Sequence, residues 1–133
     1  MSSSSLPAEY LARFSDLQPL YPNSDALSRL FSSHVCVIGV GGAGSWVVEL
    51  LARSGVGRLT LVDADDVCVS NTNRLVLALT STVGEFKTDV LRDRVLNINP
   101  HASVHVLHEC VKEDNVHQII TADRCIGVLT FSL

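Results

Sequence analysis

No stretch of this sequence stays apolar for the ~18 residues that a bilayer crossing needs. Residues 1–5 carry neither a basic nor an apolar region. A membrane span and a secretory leader are therefore not expected. Only Arg13 and Arg29 fall in the first thirty residues, so a cytoplasmic location is expected, with a mitochondrial one as the alternative. Positive charge is also short, 10 Lys and Arg against 14 Asp and Glu for a net −4. The basic footprint of a nucleic-acid binder is missing, and a role with nucleic acid would need a local basic patch or another segment. The four cysteines form no CxxC pair. Three of them fall in or beside apolar runs and are expected to pack as small aliphatic groups, and the pattern suits a reducing compartment. His101, His105 and His108 lack zinc-ligand spacing. Strand alternation would also put His105 and His108 on opposite faces, so no metal site is expected. Beyond residue 23 the only proline is Pro100.

What is present suits one globular domain. The chain has 133 residues, 47% hydrophobic and 18% charged, enough to bury a core. Residues 1–23 hold Pro7, Pro19 and Pro22 and read as a loop-rich arm with one short helix near 9–14. Ser24 or Asp25 can cap a helix that puts Leu27, Leu30 and Phe31 on one face. Residues 35–38 form an apolar run of strand length, as expected for a parallel sheet covered on both sides. A glycine-rich turn leads to a helix over 43–54 with Val47, Leu50 and Leu51 as its apolar stripe and Gly55 as its stop. Residues 59–62 are the second strand. Residues 64–86 read as a long polar stretch with Asn71 and Asn73 in a loop. A helix over 87–97 turns Val90, Leu91 and Val95 inward before Pro100. Residues 104–107, 113–121 and 125–131 continue as strand, helix and strand. The pattern predicts an α/β fold, a Rossmann-like, doubly wound, mainly parallel sheet. It divides the chain into an arm, 1–23, and a partial nucleotide-binding domain, 24–133.

Gly39-Val40-Gly41-Gly42-Ala43-Gly44 is a GxGxxG pattern set between a strand and a helix, the context that makes the motif meaningful. Gly39, Gly41, Gly42 and Gly44 allow a tight turn and close backbone approach, and the helix start offers N–H groups to an anion. Asp63 ends the next strand, where an acid bonds ribose hydroxyls. A turn needed only for strand–helix packing would show the same glycines, and NAD, FAD and ATP binders share the motif.

A second cluster narrows the chemistry. Asp63 is followed by Asp65, Asn71 and Arg74, and then by Lys87 at a helix start. Joining AMP to a carboxylate expels pyrophosphate, so it needs cations on the phosphates. Arg74 offers a two-pronged fork and Lys87 a compact ammonium; Asn71 can bond ribose or phosphate oxygens. Each charge taken alone would pass for a solvated surface group.

The segments GVGGAGS and LVDADDVCVSNTNR, then Lys87, then Asn97-Ile98-Asn99-Pro100, resemble the adenylation domain shared by ThiF, MoeB and the ubiquitin-activating enzymes. Arg13-Phe14, Trp46, Cys68, Thr72 and Asn73 make the chain most similar to the tRNA threonylcarbamoyladenosine dehydratase branch, over about residues 13–125. The resemblance implies ATP with Mg2+, and adenylation of the carboxylate of a threonyl group on a modified tRNA adenosine, which cyclises with loss of AMP. It implies ribose binding by Asp63 and nucleotide contacts by Asn71 and Arg74. It puts Lys87 on the phosphates. It also implies a homodimer in which the partner's arm lends an arginine. Arg74 and Lys87 are the candidate catalytic residues; Gly39, Gly41, Gly42, Gly44, Asp63 and Asp65 complete the nucleotide set. The chain departs from the pattern at Pro19, where the branch usually has a second arm arginine, and at Leu75, where the family usually has glutamine. The family's Asp-x-x-Asp segment, which helps hold magnesium, has no counterpart in the acid-free run 125–133. A C-terminally truncated domain, inactive by itself, is the corresponding expectation. An NAD- or FAD-dependent oxidoreductase and a non-catalytic nucleotide-binding remnant are the alternatives.

Overall fold

A computed structural model of the chain describes residues 5–120 and the backbone of 126–129. Its elements run α1 (Ala8–Phe14), a 3-10 helix (Ser15–Leu20), α2 (Ala26–Ser32), β1 (His34–Ile38), α3 (Gly42–Arg53) and β2 (Arg58–Val62). A second 3-10 helix (Val69–Asn73), α4 (Lys87–Ile98), β3 (Ser103–Leu107), α5 (Val116–Ile119) and β4 (Ile126–Leu129) follow. The four strands are parallel, in the order β3-β2-β1-β4. The predicted Rossmann-like, doubly wound sheet is the observed one. From β1 the chain moves outward through β2 and β3, then returns to the other side of β1 as β4. The strand order therefore reverses at β1, and the ends Ile38, Val62, Leu107 and Leu129 lie in register.

Alternation sorts the strand residues between two faces. Val35, Val37, Leu59 and Leu61 join the larger core with Val48 and Ala52 of α3 and Leu91 and Val95 of α4. Cys36, Ile38 and Val62 face the other way and pack with Ile119. Helices thus flank both faces of a sheet whose central strand β1 is apolar on both sides beyond His34.

Several expectations need correction. Leu50 is not part of the buried stripe of α3: it is 67% exposed, while Val48 and Ala52 are fully buried. With Val47, Val48, Leu50 and Leu51 all apolar, the sequence leaves the helix phase open. Gly44, Ser45 and Ala52, all buried, let the backbone approach the sheet and set that phase. Of the described cysteines only Cys36 is buried; Cys68 and Cys110 are exposed thiols. The helix expected over 113–121 is the single turn α5, because Asn115 caps backward, its Oδ1 accepting from the Lys112 amide. Cys125, the acid-free tail beyond residue 129 and Thr121 lie outside the described residues.

The arm is more ordered than a loop. Tyr10 is fully buried, its ring against Phe14 and Phe31 and its hydroxyl donating to the carbonyl of Gly55 at 2.7 Å. Burial raises the pKa of that hydroxyl. This contact fixes α1 at the end of the domain where α3 gives way to β2.

Candidate functional site

The glycine turn leaves the end of β1 at the point where the strand order reverses, which is where open α/β sheets bind ligands. Gly39 has φ +85°, a left-handed conformation that a side chain would strain. Its amide donates to Val62 O at 2.8 Å, so the turn is tied to the end of β2. Gly41 caps α3, and a Cβ built on it would meet nothing within 4 Å. That side of the turn is open to an approaching group. Gly42 opens the helix and Gly44 is buried in its first turn.

Asp63 follows β2. Its Oδ2 accepts from the Val40 amide at 2.9 Å and its Oδ1 from the Asp65 amide at 2.8 Å. One carboxylate thus ties the glycine turn to the segment that carries the other candidates. Its own amide donates to Leu107 O, so the ends of β2 and β3 are joined as well.

Residues 65–67 then pair with 84–87. Val67 donates to Glu85 O, Lys87 to Asp65 O, and Asp66 bridges Phe86 in antiparallel sense. Separated widely in sequence, Asp65 and Lys87 meet through this short ribbon. The Lys87 ammonium lies 3.7 Å from the Asp65 carboxylate. Lys87 is 8% exposed and opens α4. Between the arms of the ribbon, the stretch expected to be loop holds the second 3-10 helix. Asn71 belongs to that helix and is buried, its Oδ1 accepting from the Cys68 amide. Arg74 closes the helix. Its stem passes Gly42, where a Cβ would lie 3.8 Å from Cδ. Its Nη1 donates to Ser70 O and Asn73 Oδ1, and its carbonyl accepts from the indole N–H of Trp46 at 2.9 Å.

The sequence-predicted residues therefore fall into two linked groups. Asp63, Asp65 and Lys87 are linked on one segment beside the turn, and Arg74, whose amide donates to Asn71 O, lies against the start of α3. Sequence reasoning missed two hydroxyls: Ser45 Oγ and Thr88 Oγ1 are buried in the first turns of α3 and α4 without a hydrogen-bond partner. A serine right after the GxGxxG glycines and a threonine right after Lys87 were the available signals. It also missed Glu49, which binds Arg94 of α4 through two hydrogen bonds and Arg53 through one. Those bonds, the Arg94 ones foremost, hold the Glu49 carboxyl below the ordinary carboxylate range despite burial. This cross-link fastens two parallel helices whose N-termini both face the site.

The turn fits a nucleotide: an open glycine backbone, a helix start, an acid at ribose distance in the chain and two cations. A resident magnesium fits less well, since the described residues contain no group of three or more His, Cys, Asp or Glu able to hold a metal. Among the described residues no helix is long and apolar enough to cross a membrane.

The chain is similar in sequence and fold to known proteins. The model of the ThiF family matches residues 15–130. The chain is 49% identical over 106 residues to a tRNA threonylcarbamoyladenosine dehydratase of Haemophilus influenzae, covering 80% of this chain and 40% of that protein. It is 34% identical over 125 residues to a molybdopterin-synthase adenylyltransferase of Salmonella typhimurium, covering 87% of this chain and 50% of that one. The crystal structure of the Escherichia coli tRNA N6-threonylcarbamoyladenosine dehydratase in complex with ATP superposes with a TM-score of 0.88 at 40% identity, over 94% of this chain and 52% of that one. The chain thus spans about two fifths to one half of the length of these relatives.

Proposed function

The chain belongs to the ThiF family, and from that premise we propose that it binds ATP at the glycine turn and serves the adenylation of a carboxylate. The proposed substrate is the threonylcarbamoyl carboxylate of a modified tRNA adenosine. A carboxylate oxygen attacks the α-phosphorus, pyrophosphate leaves, and the activated acyl group then closes into a ring with loss of AMP. The observation that carries this reading is the convergence of the open Gly41 backbone, Asp63 and the Asp65–Lys87 pair at the switch of strand order.

In this reading the N-terminus of α3 receives phosphate through its free N–H groups. Asp63 holds ribose while keeping the turn closed. Asn71 lines the nucleotide from the 3-10 helix. Lys87 exchanges Asp65 for a phosphate oxygen, and its positive charge opposes the negative charge that builds as pyrophosphate departs. Arg74 supplies the second cation. ATP brings the activating phosphoanhydride.

A homodimer belongs to the same proposal, as does the division into an arm, 1–23, and a body, 24–133. Arg13 borders a cleft with Arg53, Asn97 and Ile98, the trailing ends of α3 and α4. The glycine turn is at the leading end of α3, whose 12 residues put it roughly 18 Å away at 1.5 Å per residue. Arg13 is therefore out of reach of its own site, and an arm arginine that touches phosphate has to serve a second copy. Leu50, 67% exposed, offers that copy an apolar contact on the outer face of α3. A cytoplasmic setting suits the exposed thiols Cys68 and Cys110.

A thermal melt with ATP and with NAD tests the reading. ATP at about 100 times its Kd is expected to add about 2.7 kcal/mol to stability, with no shift from NAD. Equal shifts, or a shift with NAD alone, would overturn it.

A further inference from the structure

We propose that Trp46 is a positioning residue for Arg74: its indole N–H fixes the Arg74 carbonyl, and so keeps the arginine stem over Gly42, at the mouth of the anion site. The proposal rests on the nucleotide-binding reading above and adds to it the residue that places one of the two cations.

Three observations carry it. First, Trp46 is not held by the core. It is 54% exposed, whereas tryptophan is usually retained in a fold by burying its large ring. Its hydrogen bond to Arg74 O, at 2.9 Å, joins residues far apart in sequence and ties α3 to the end of the 3-10 helix. Second, Arg74 is gripped by α3 at two points. The carbonyl meets Trp46, and the stem lies against Gly42, where an added methyl would touch Cδ and Cγ at 3.8 and 3.9 Å. Third, the head of the arginine is held only locally. Nη1 donates to Ser70 O and Asn73 Oδ1, two exposed acceptors within its own turn that water can replace at little cost. The backbone and stem are therefore fixed while the guanidinium is free to exchange partners. An anion on the α3 N-terminus would find the fork already delivered to within one side-chain rotation. Leu75, next in the chain, is buried, so the segment pivots about a fixed point if the Trp46 bond is lost.

Trp46→Phe keeps an aromatic ring and removes the donor. Titration of ATP into the full chain and its variants by calorimetry should show Trp46→Phe weakening binding by about five- to tenfold. In an Arg74→Ala background the same substitution should change affinity by less than twofold, the signature of two residues acting through one contact. Adenosine, which carries no phosphate, should bind the Phe variant as it binds the parent. An equal loss in both backgrounds, or no loss in the single variant, would overturn the proposal. A ligand-free measurement separates it from the ATP reading. The amides of Arg74 and Leu75 both donate to Asn71 O, and their hydrogen exchange should accelerate in Trp46→Phe while exchange in β1 and β2 stays unchanged. Unchanged exchange at Arg74 and Leu75 would defeat the positioning role whether or not ATP binds. Absence of ATP binding by the parent, with accelerated exchange in the variant, would instead remove only the nucleotide reading.

Discussion

At the scale of single residues, Gly57 has almost no tolerance for a side chain. A Cβ built there would lie 1.8 Å from the carbonyl oxygen of Phe31, because the Gly57 amide donates to Leu30 O and its carbonyl accepts from Ser103. Backbone, not a flexible side chain, is in the way. Gly57→Ala is expected to cost about 2–3 kcal/mol, the upper range for overpacking, measured by urea unfolding; a loss under about 0.5 kcal/mol would mean that the turn before β2 can move. Gly42→Ala is the contrast, since its new methyl makes only ordinary contacts with the Arg74 stem. Asp63 shows how a residue singled out by its spacing can hold a task that spacing does not announce. The fingerprint locates it as a ribose acid, but its two oxygens already bind the Val40 and Asp65 amides, a geometry no spacing rule reveals.

At the scale of elements, α3 and α4 are joined by Glu49, Arg94 and Arg53. Glu49 titrates lower in the folded chain than in the unfolded one. Its contribution is therefore complete above the ordinary carboxylate pKa and is lost as pH falls through the lowered value. Arg94→Ala should cost about 1.5 kcal/mol at neutral pH, the low end for a charged hydrogen bond, since a third of Arg94 faces water and Arg53 remains as partner. The cost should shrink toward zero in acid, where protonated Glu49 no longer needs the guanidinium. Urea unfolding of parent and variant across that pH range checks this, and a pH-independent difference would contradict it. The strands and the two long helices were legible because apolar runs of strand length and glycine stops punctuate the sequence. The Glu49–Arg94 link was not, because a pair between two helices leaves no mark in either helix's own periodicity. The 3-10 helices were hidden for a related reason: Val69–Asn73 is held by caps such as Asn71 Oδ1, not by an apolar repeat. Likewise the apolar residues of α3 outnumber the positions its buried face can take, so the sequence does not reveal that Leu50 faces outward.

At the scale of the whole molecule, the sheet order decides what the chain can assemble. β1 lies between β2 and β4, so the glycine turn emerges between two neighbours, and all four strands end on one side. The candidate residues gather there although they are scattered from Gly39 to Lys87. The arm docks at the other end through Tyr10, a contact across 45 residues, which is why the distance of Arg13 from the turn is not legible in the sequence. α3 and α4 run parallel, and both start beside the site. Two positive helix ends, Lys87 and Arg74 therefore concentrate positive potential in one small region of a chain whose net charge is −4. On the nucleotide-binding proposal, a polyphosphate should be repelled by the net charge of −4 at long range and attracted only close to the site. Added salt screens the long-range part first. Raising ionic strength from about 10 to 150 mM, over which the Debye length falls from about 30 to 8 Å, should leave the association rate of ATP unchanged or faster while speeding its dissociation. Stopped-flow recording of Trp46 fluorescence would separate the two rates, and an association rate that drops steeply with salt would mean that the acidic surface does not reach the path of the incoming nucleotide.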